Sequence, residues 1–215
     1  MKNQEHKNRK KLAYKKRNTS PIKILLIPVG ILLVYFIVYG GFIGYNEFSK
    51  EGMEEIPSQY IPIYKAAEEK YGVPWNLLAA HHRVETKFST MDPLVSPVGA
   101  EGHMQFMPCT FVGWSHPSCE GLGEGAIPEK EKTDPSVIEE YGGYGVDGNG
   151  DGIADPFQLE DAIFSAANYL SNNGAADGEV EKAVFAYNHS DKYVKDVLYY
   201  ADKYKEEPEK RKTPM

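Results

Sequence analysis

The chain has 215 residues, which fits one folded domain with an appendage, and its formal net charge is −7. The charge is unevenly distributed, because residues 1–44 carry nine Lys or Arg and one acid, which leaves about −15 for the rest. An acidic folded region with its basic residues confined to a tail excludes a basic nucleic-acid-binding surface, so no nucleic-acid partner is expected.

A long apolar run follows the basic residues 1–23. Residues 24–44 are 21 positions without a charge. At about 1.5 Å per residue, a helix of that length spans roughly 30 Å, the thickness of a bilayer core. Because Lys and Arg mark the cytoplasmic side, we predict a single-pass membrane anchor with a cytoplasmic tail and an extracytoplasmic domain. The alternative, a cleaved signal peptide, is disfavoured because its apolar core is usually about 7–15 residues long.

The remaining chain divides into a stalk, one domain and a tail. Residues 45–56 have mixed charge and form the predicted stalk, and the charged residues 205–215 form the predicted C-terminal tail. Between them, in residues 57–204, apolar side chains recur at three- and four-residue steps, which predicts helices. Strand signals are confined to residues 89–103, which are predicted to form a loop or a hairpin. The predicted fold class is therefore α+β, mostly α.

The second predicted helix of this domain carries a candidate catalytic acid. Gly72 ends the helix before it, and Pro74 opens it at a position where the missing N–H has no cost. Leu78, His81 and Glu85 fall on one face at helical spacing. A carboxyl group beside apolar surface has a raised pKa, so Glu85 is expected to stay protonated and act as a general acid.

The same helix also contains a partial metal-binding signature. His82 and Glu85 match the beginning of the inverted zinc-protease motif His-x-x-Glu-His. Residue 86 is Thr, so the second histidine of that motif is absent. Ordinary helical neighbours are the favoured interpretation, and no metal is expected in catalysis.

Four short motifs follow Glu85 in order. They read SPVGA at 96–100, GHMQ at 102–105, MPCT at 107–110 and AYN at 186–188. Together with Glu85 they resemble the lysozyme-like lytic transglycosylases, the group of soluble lytic transglycosylases and goose-type lysozymes, in order and spacing over roughly residues 57–204. The chain departs from that pattern with Thr86 in place of Ser and His103 in place of Leu.

The resemblance implies a lysozyme-like domain that cleaves peptidoglycan strands without a catalytic cofactor. In that family one carboxyl group, here Glu85, protonates the bond between N-acetylmuramic acid and N-acetylglucosamine. It then accepts a proton from the muramoyl 6-hydroxyl, which forms a 1,6-anhydro product. The matching positions imply substrate contacts by Ser96, Met104, Gln105, Tyr187 and Asn188, and Phe106 is an aromatic candidate for stacking on a sugar. From the residues alone, turn formation also explains Ser96, a helix cap explains Asn188, and core packing explains Phe106.

Two other functions stay open beside the transglycosylase. A muramidase usually needs a second carboxylate, and the candidates are Glu101 and, in the first place, Asp92, which lies seven residues after Glu85. A plain Asp-Pro turn also explains Asp92. A non-catalytic wall-binding protein on the same fold is the more distant alternative, but it would be marked by loss of the carboxylate that Glu85 retains.

An Asp- and Gly-rich segment at 147–158 resembles the first part of an EF-hand calcium loop. Oxygen ligands would come from the side chains at loop positions 1, 3, 5 and 9 and from one backbone carbonyl at position 7, namely Asp147, Asn149, Asp151, Asp155 and Ile153. Position 12 is Gln158 in place of the bidentate Glu, which predicts weak affinity, with Glu160 or Asp161 of the following helix as alternative ligands. A turn that caps the next helix is the alternative, and a bound calcium ion would be structural.

The two cysteines would lie outside the cytoplasm on the predicted topology. An oxidising exterior permits a disulfide between Cys109 and Cys119, which would contribute about 2–3 kcal/mol through so short a loop. Two free thiols are equally compatible with the spacing. The sequence as a whole predicts a membrane-anchored, extracytoplasmic enzyme with peptidoglycan as its partner, and it indicates no protein partner.

Overall fold

The computed structural model describes residues 55–210. The predicted cytoplasmic tail, membrane anchor and most of the stalk therefore lie outside the described residues, as do residues 211–215. No helix within residues 55–210 is long and apolar enough to cross a membrane. The boundaries of the predicted segments stay predictions, and the folded unit itself begins at Ile56.

Helices dominate the described residues. In chain order they are α1 (Ile61–Tyr71), α2 (Trp75–Thr86), α3 (Pro108–Val112), α4 (Glu129–Lys132), α5 (Pro135–Tyr141), α6 (Leu159–Asn172), α7 (Val180–Tyr187) and α8 (Asp191–Lys210). Single 3₁₀ turns precede α1 and α7, at Ser58–Tyr60 and Ala175–Asp177. The prediction of a mostly helical domain is confirmed.

The β part of the predicted fold is much smaller than expected. In residues 55–210, pairing outside helices is limited to two isolated antiparallel bridges, Val95 with Glu101 and Glu101 with Phe106. A tight turn explains this, because Ser96 and Ala100 already bond to each other across it. The segment between α2 and α3 is therefore a folded loop, and the α+β prediction is corrected to helices with these bridges.

The core is built around α2, which is buried along most of its length. Leu77, Leu78, Ala79 and Ala80 are all at most 2% exposed. α2 packs most extensively against α8, and α1 packs against both α2 and α6. Small residues on α6, among them Ala162 and Ala166, are fully buried and allow neighbouring helices to approach closely. The end of α2 is thereby held rigidly from several sides.

The chain leaves α2 through an unusual left-handed turn. Lys87, Phe88 and Ser89 have φ angles of 49°, 55° and 67°, a region that non-glycine residues rarely occupy. Hydrogen bonds compensate, because the Thr86 hydroxyl oxygen accepts the N–H of Ser89 at 3.1 Å and donates its proton to the His103 carbonyl at 2.9 Å. This turn directly follows Glu85 and fixes the loop that faces it.

Candidate active site

Glu85 lies in the last turn of α2, with its side chain partly exposed. Its Oε1 atom accepts a hydrogen bond of 2.5 Å from the hydroxyl of Tyr193, on α8. Burial raises the pKa of Glu85 to about 7, while the bond from Tyr193 acts in the opposite direction. Near neutral pH a large fraction of Glu85 is therefore protonated, as a general acid requires.

Behind Tyr193 stands a buried histidine whose tautomer follows from its contacts. His81 Nδ1 lies 2.9 Å from the Tyr193 hydroxyl oxygen. Because Tyr193 donates its only proton to Glu85, that oxygen accepts from His81 Nδ1–H. Burial lowers the pKa of His81 to about 3, so the ring is neutral, and its Nε2 is a buried atom without a partner. The three groups form a directed series of hydrogen bonds from His81 to Tyr193 to Glu85.

Tyr187, the tyrosine of the AYN motif, contacts the loop before α3 through its hydroxyl. Its hydroxyl donates to the Met104 carbonyl at 2.8 Å. Its ring lies parallel to that of Tyr193, with 6.4 Å between centroids, and 5.0 Å from that of His81. Burial and the nearby Glu85 carboxyl raise the pKa of Tyr187, so it stays a donor. Tyr187 therefore holds the 102–107 loop against the end of α7.

His103, which replaces the usual leucine, belongs to a second series of hydrogen bonds. Its Nε2 must donate to the Phe157 carbonyl, 2.9 Å away, so its Nδ1 accepts the Ser89 proton at 2.7 Å. Ser89 in turn accepts from His82 Nε2–H at 2.7 Å, and His82 Nδ1 accepts the Tyr64 proton at 2.7 Å. The series, called here the histidine chain, ties α1 and α2 to the residues that precede α6.

The histidine chain also settles the role of His82. Burial lowers the pKa of His82 to about 3, and both of its ring nitrogens are engaged by Tyr64 and Ser89. No group of three or more His, Cys, Asp or Glu side chains is arranged for a metal ion within the described residues. His82 is therefore a buried member of the core that is bonded through both ring nitrogens.

A cavity of about 370 Å³ opens beside these groups. Its walls come from the loop before α3, the chain after it, α6 and the end of α7, and they comprise Gln105, Phe106, Met107, Thr110, Trp114, Leu122, Tyr144, Tyr169, Ala186, Tyr187 and His189. A larger depression of about 710 Å³ lies between α7 and α8, but none of the predicted substrate contacts lines it, whereas Gln105, Phe106 and Tyr187 line the smaller cavity. Glu85 lines neither of the two. The smaller, aromatic cavity is therefore the candidate substrate cleft.

Gln105 reaches this cavity from a strained backbone position. Its φ angle is 52°, and its side-chain amide donates to the Gly102 carbonyl at 2.8 Å. Gly102 allows this turn, because its φ is 78° and a Cβ atom there would lie 1.9 Å from the Pro156 carbonyl oxygen. Phe106 also lines the cavity, although only 3% of it is exposed.

Other predicted substrate contacts lie elsewhere. The Met104 side chain is fully buried among the core residues and does not line the cavity, so the expected side-chain contact with a sugar is corrected to a role for its carbonyl. The Ser96 hydroxyl oxygen accepts the N–H of Ala100 at 2.9 Å and stabilises the turn. Asn188 is exposed where α7 ends. Asp92 is exposed next to the cis bond to Pro93.

The hydrogen bond from Tyr193 to Glu85 was not predicted from the sequence. Tyr193 lies 108 positions from Glu85 and outside the four motifs, and its spacing on α8 marked it only as a buried helix position. Its place six residues after Tyr187 is the one local signal that connects it to the AYN motif.

The acidic loop at 147–158 is organised by its own hydrogen bonds. Asp147 accepts the N–H groups of Gly150, Asp151 and Gly152, at 2.7 to 3.1 Å. The amide of Gln158 bonds both Asn149 and Asp151, at 2.5 and 3.0 Å. The donor set consists of oxygens, which suits calcium, but the position of the bidentate ligand is taken by an amide that already has partners. The carboxylates of this loop are also not grouped around a common metal position, so the calcium site stays a prediction.

Cys109 and Cys119 form a disulfide, with their Cα atoms 5.7 Å apart. Cys109 is buried in α3, while Cys119 lies on the chain that joins α3 to α4. The bond therefore fastens a surface segment, which includes part of the cavity wall, to the core.

A partly buried carboxyl with a raised pKa, beside an aromatic cavity on a helical domain, is typical of lysozyme-like enzymes that cleave glycans. Comparison with protein families gives a match to the transglycosylase SLT domain over residues 137–182. The match runs from α5 into α7 and covers 46 of the 215 residues, so this segment is similar to the transglycosylase SLT domain, in agreement with the predicted resemblance to lysozyme-like lytic transglycosylases. Comparisons with curated proteins and with solved structures gave no match.

Proposed function

We propose that this protein is a peptidoglycan lytic transglycosylase with Glu85 as its acid and base. The observation that carries the proposal is the Glu85 carboxyl itself, whose pKa is raised to about 7 and which bonds to Tyr193. The family match supports a peptidoglycan-degrading enzyme in general. A group that titrates near neutral pH serves both steps of this reaction, because it must first give a proton and then take one.

The reaction needs one carboxyl group and no external water. Protonated Glu85 gives its proton to the oxygen that links N-acetylmuramic acid to the next N-acetylglucosamine, and the bond from that oxygen to the anomeric carbon breaks. The Glu85 carboxylate then removes the proton of the muramoyl 6-hydroxyl, whose oxygen bonds to the anomeric carbon. Glu85 ends protonated, and the product carries a 1,6-anhydro ring.

The products of digestion test this proposal directly. The 215-residue chain is incubated with purified peptidoglycan and the fragments are weighed by mass spectrometry. Fragments that end in 1,6-anhydro-muramic acid are 18 Da lighter than those that end in a free reducing sugar, by the mass of one water. Free reducing ends would instead make the protein a muramidase, with Asp92 as the candidate second carboxylate.

We also propose that residues 24–44 anchor the enzyme in the cell membrane with its domain outside the cytoplasm. The support is the uncharged run of 21 residues after a basic tail. The chain is then expected in the membrane fraction after extraction at alkaline pH. Release into the soluble fraction would contradict the anchor.

The acidic loop at 147–158 gives a separate prediction about calcium. If oxygen ligands from Asp147, Asn149, Asp151, Asp155 and the Ile153 carbonyl bind the ion, calcium at about 100 times its dissociation constant adds about 2.7 kcal/mol to the free energy of unfolding. A chelator should then lower the melting temperature of the chain by several degrees.

The control for this prediction is Asp151→Asn. An asparagine oxygen can still accept the N–H of Ile153, which Asp151 accepts at 2.9 Å, but the variant removes one negative charge from the loop. Its melting temperature should respond less to calcium than that of the parent chain. Identical melting curves of the parent with calcium and with chelator would leave the loop as a turn held by its own hydrogen bonds.

A further inference from the structure

A tryptophan stands exposed at the wall of the candidate cleft. Trp114 lies on residues 113–128, which join α3 to α4 and are called here the Trp114 loop. The side chain is 55% exposed, although burying an indole is strongly favourable. Leu122, on the same loop, is 75% exposed. Both line the cavity that Gln105 and Tyr187 also line, so this apolar surface is part of the candidate substrate cleft.

The indole of Trp114 is supported from beneath by backbone. Gly123 is buried with a φ angle of 101°, and a Cβ atom at that position would lie 3.1 Å from Cζ2 of Trp114. A side chain there would push the ring away. The ring is therefore supported on one side while more than half of its surface stays open.

Two bonds from α3 fix the loop near this glycine. The backbone N–H of Cys109 donates to the Gly123 carbonyl at 2.9 Å. The side chain of the same cysteine forms the disulfide with Cys119. Because Cys109 is fully buried, both bonds join the Trp114 loop to the core.

A buried histidine fixes the other side of the loop. His116 Nδ1 accepts the backbone N–H of Ser118 at 3.1 Å, so the ring proton is on Nε2, which donates to Glu131 on α4 at 3.0 Å. The ring also meets that of Tyr141 edge to face, with 4.7 Å between centroids. The Trp114 loop is thus a rigid wall, and a rigid exposed aromatic loses little entropy when a ligand covers it.

From this arrangement we infer that Trp114 forms a stacking subsite for an N-acetylhexosamine ring of the glycan strand, held in place by the Cys109–Cys119 disulfide. The subsite rests on the proposed function, since it extends the same cleft. One face of a pyranose ring presents C–H groups and matches the flat indole, while the hydroxyl and acetamido groups at its rim need polar partners such as Gln105.

The chain has two tryptophans, which allows Trp114 to be observed directly. The Glu85→Gln variant is used so that the ligand is not cleaved, and it is labelled with 5-fluorotryptophan. The fluorine signals of Trp75 and Trp114 are assigned by comparison with Trp75→Phe. An oligomer of four N-acetylglucosamine units is added while binding is followed separately by calorimetry. The Trp114 signal is expected to move in a saturable way, and that of Trp75 to stay in place.

Kinetics on peptidoglycan give a second measurement. In the chain with Glu85 intact, Trp114→Ala should raise KM about tenfold with a smaller change in kcat, because a stacked sugar is bound equally before and during the reaction. Trp114→Phe, which keeps a flat ring, should recover part of the loss. An unmoved Trp114 signal at oligosaccharide concentrations that saturate binding would overturn the subsite and leave the proposed function standing. If the chain neither binds the oligosaccharide nor cleaves peptidoglycan, both the Trp114 subsite and the proposed function are overturned.

The disulfide is tested with the double variant Cys109→Ser/Cys119→Ser. It is expected to bind the oligosaccharide several-fold more weakly than the parent chain while it remains folded by circular dichroism at the assay temperature. Unchanged affinity in the folded double variant would overturn the assignment of the disulfide as the support of Trp114.

Discussion

Replacing Glu85 by Gln is expected to lower the rate of peptidoglycan cleavage by about 10²–10⁴-fold, the usual contribution of a general acid and base. Gln has the size of Glu and still offers an oxygen to the Tyr193 hydroxyl, which Glu85 accepts at 2.5 Å, but it cannot give a proton to the leaving oxygen. The measurement is release of soluble fragments from purified peptidoglycan. Asp92→Asn is the matched carboxylate-to-amide control and should cleave peptidoglycan at nearly the rate of the parent. A loss of rate in Asp92→Asn comparable to that in Glu85→Gln would support the two-carboxylate muramidase.

The stability of Glu85→Gln shows whether any loss of activity is caused by misfolding. Burial raises the pKa of Glu85 from 4.5 to about 7, so the folded chain binds this proton more tightly than the unfolded chain. The free energy of unfolding therefore falls as pH rises from about 4.5 to about 7, by at most about 3 kcal/mol, and then levels off. A neutral Gln does not have the cost of burying a charged carboxylate. The melting temperature of the variant should therefore be several degrees above that of the parent at pH 8 and nearly equal to it at pH 4.5. A lower melting temperature at pH 8 would contradict the buried-acid assignment.

Removing the Tyr193 hydroxyl with Tyr193→Phe is expected to move the pH dependence of the reaction. In the proposed mechanism the protonated form of Glu85 starts the reaction, so kcat/KM of the parent should fall as pH rises through about 7. The bond from Tyr193 stabilises the carboxylate and lowers this pKa. Its loss should raise the pKa and move the alkaline limb of the profile upward by about one pH unit, since a hydrogen bond to a charged group contributes about 1.5–3 kcal/mol.

The same substitution should also lower the maximal rate and the stability. Phe cannot hold the carboxyl in one orientation, and His81 would keep a buried Nδ1–H without its acceptor, at a cost of about 1–3 kcal/mol. Tyr187→Phe is the matched control, because its hydroxyl bonds to the Met104 carbonyl and not to Glu85. It should lower activity by loosening the loop while the alkaline limb stays in place. Equal shifts in both variants would show that the shift does not come from the bond to Glu85.

The site was predictable where its chemistry is local in sequence. Glu85 ends an apolar helical face, and the raised pKa follows from that position alone. Short motifs predicted Gln105 and Tyr187 as substrate contacts. A motif identifies a position in the sequence, but it does not show which way the side chain points. The sequence could not indicate that Met104 points into the core or that Gln105 has a positive φ angle, because both follow from the turn at Gly102 and its close approach to Pro156.

Contacts between distant segments were the least predictable part. Tyr193 reaches Glu85 only because α8 packs along α2, and a pairing over 108 positions leaves no trace in local periodicity. The mostly helical fold was predictable from spacing, since amphipathic periodicity is a property of each helix by itself. The sequence placed the strand signals correctly at 89–103 but did not decide between a loop and a hairpin there, and the Ser96 turn limits the pairing to isolated bridges.

The histidine chain has a consequence for how this protein can change. Each member uses its single proton in one direction, from Tyr64 to His82, Ser89, His103 and the Phe157 carbonyl. Replacing His103 with leucine would leave the Ser89 proton and the Phe157 carbonyl without these partners. Replacing Ser89 with an apolar residue would remove one hydrogen bond from His82 and one from His103. Variation at these positions is therefore expected to be coupled, so that related chains carry either the whole polar set or an apolar replacement of it.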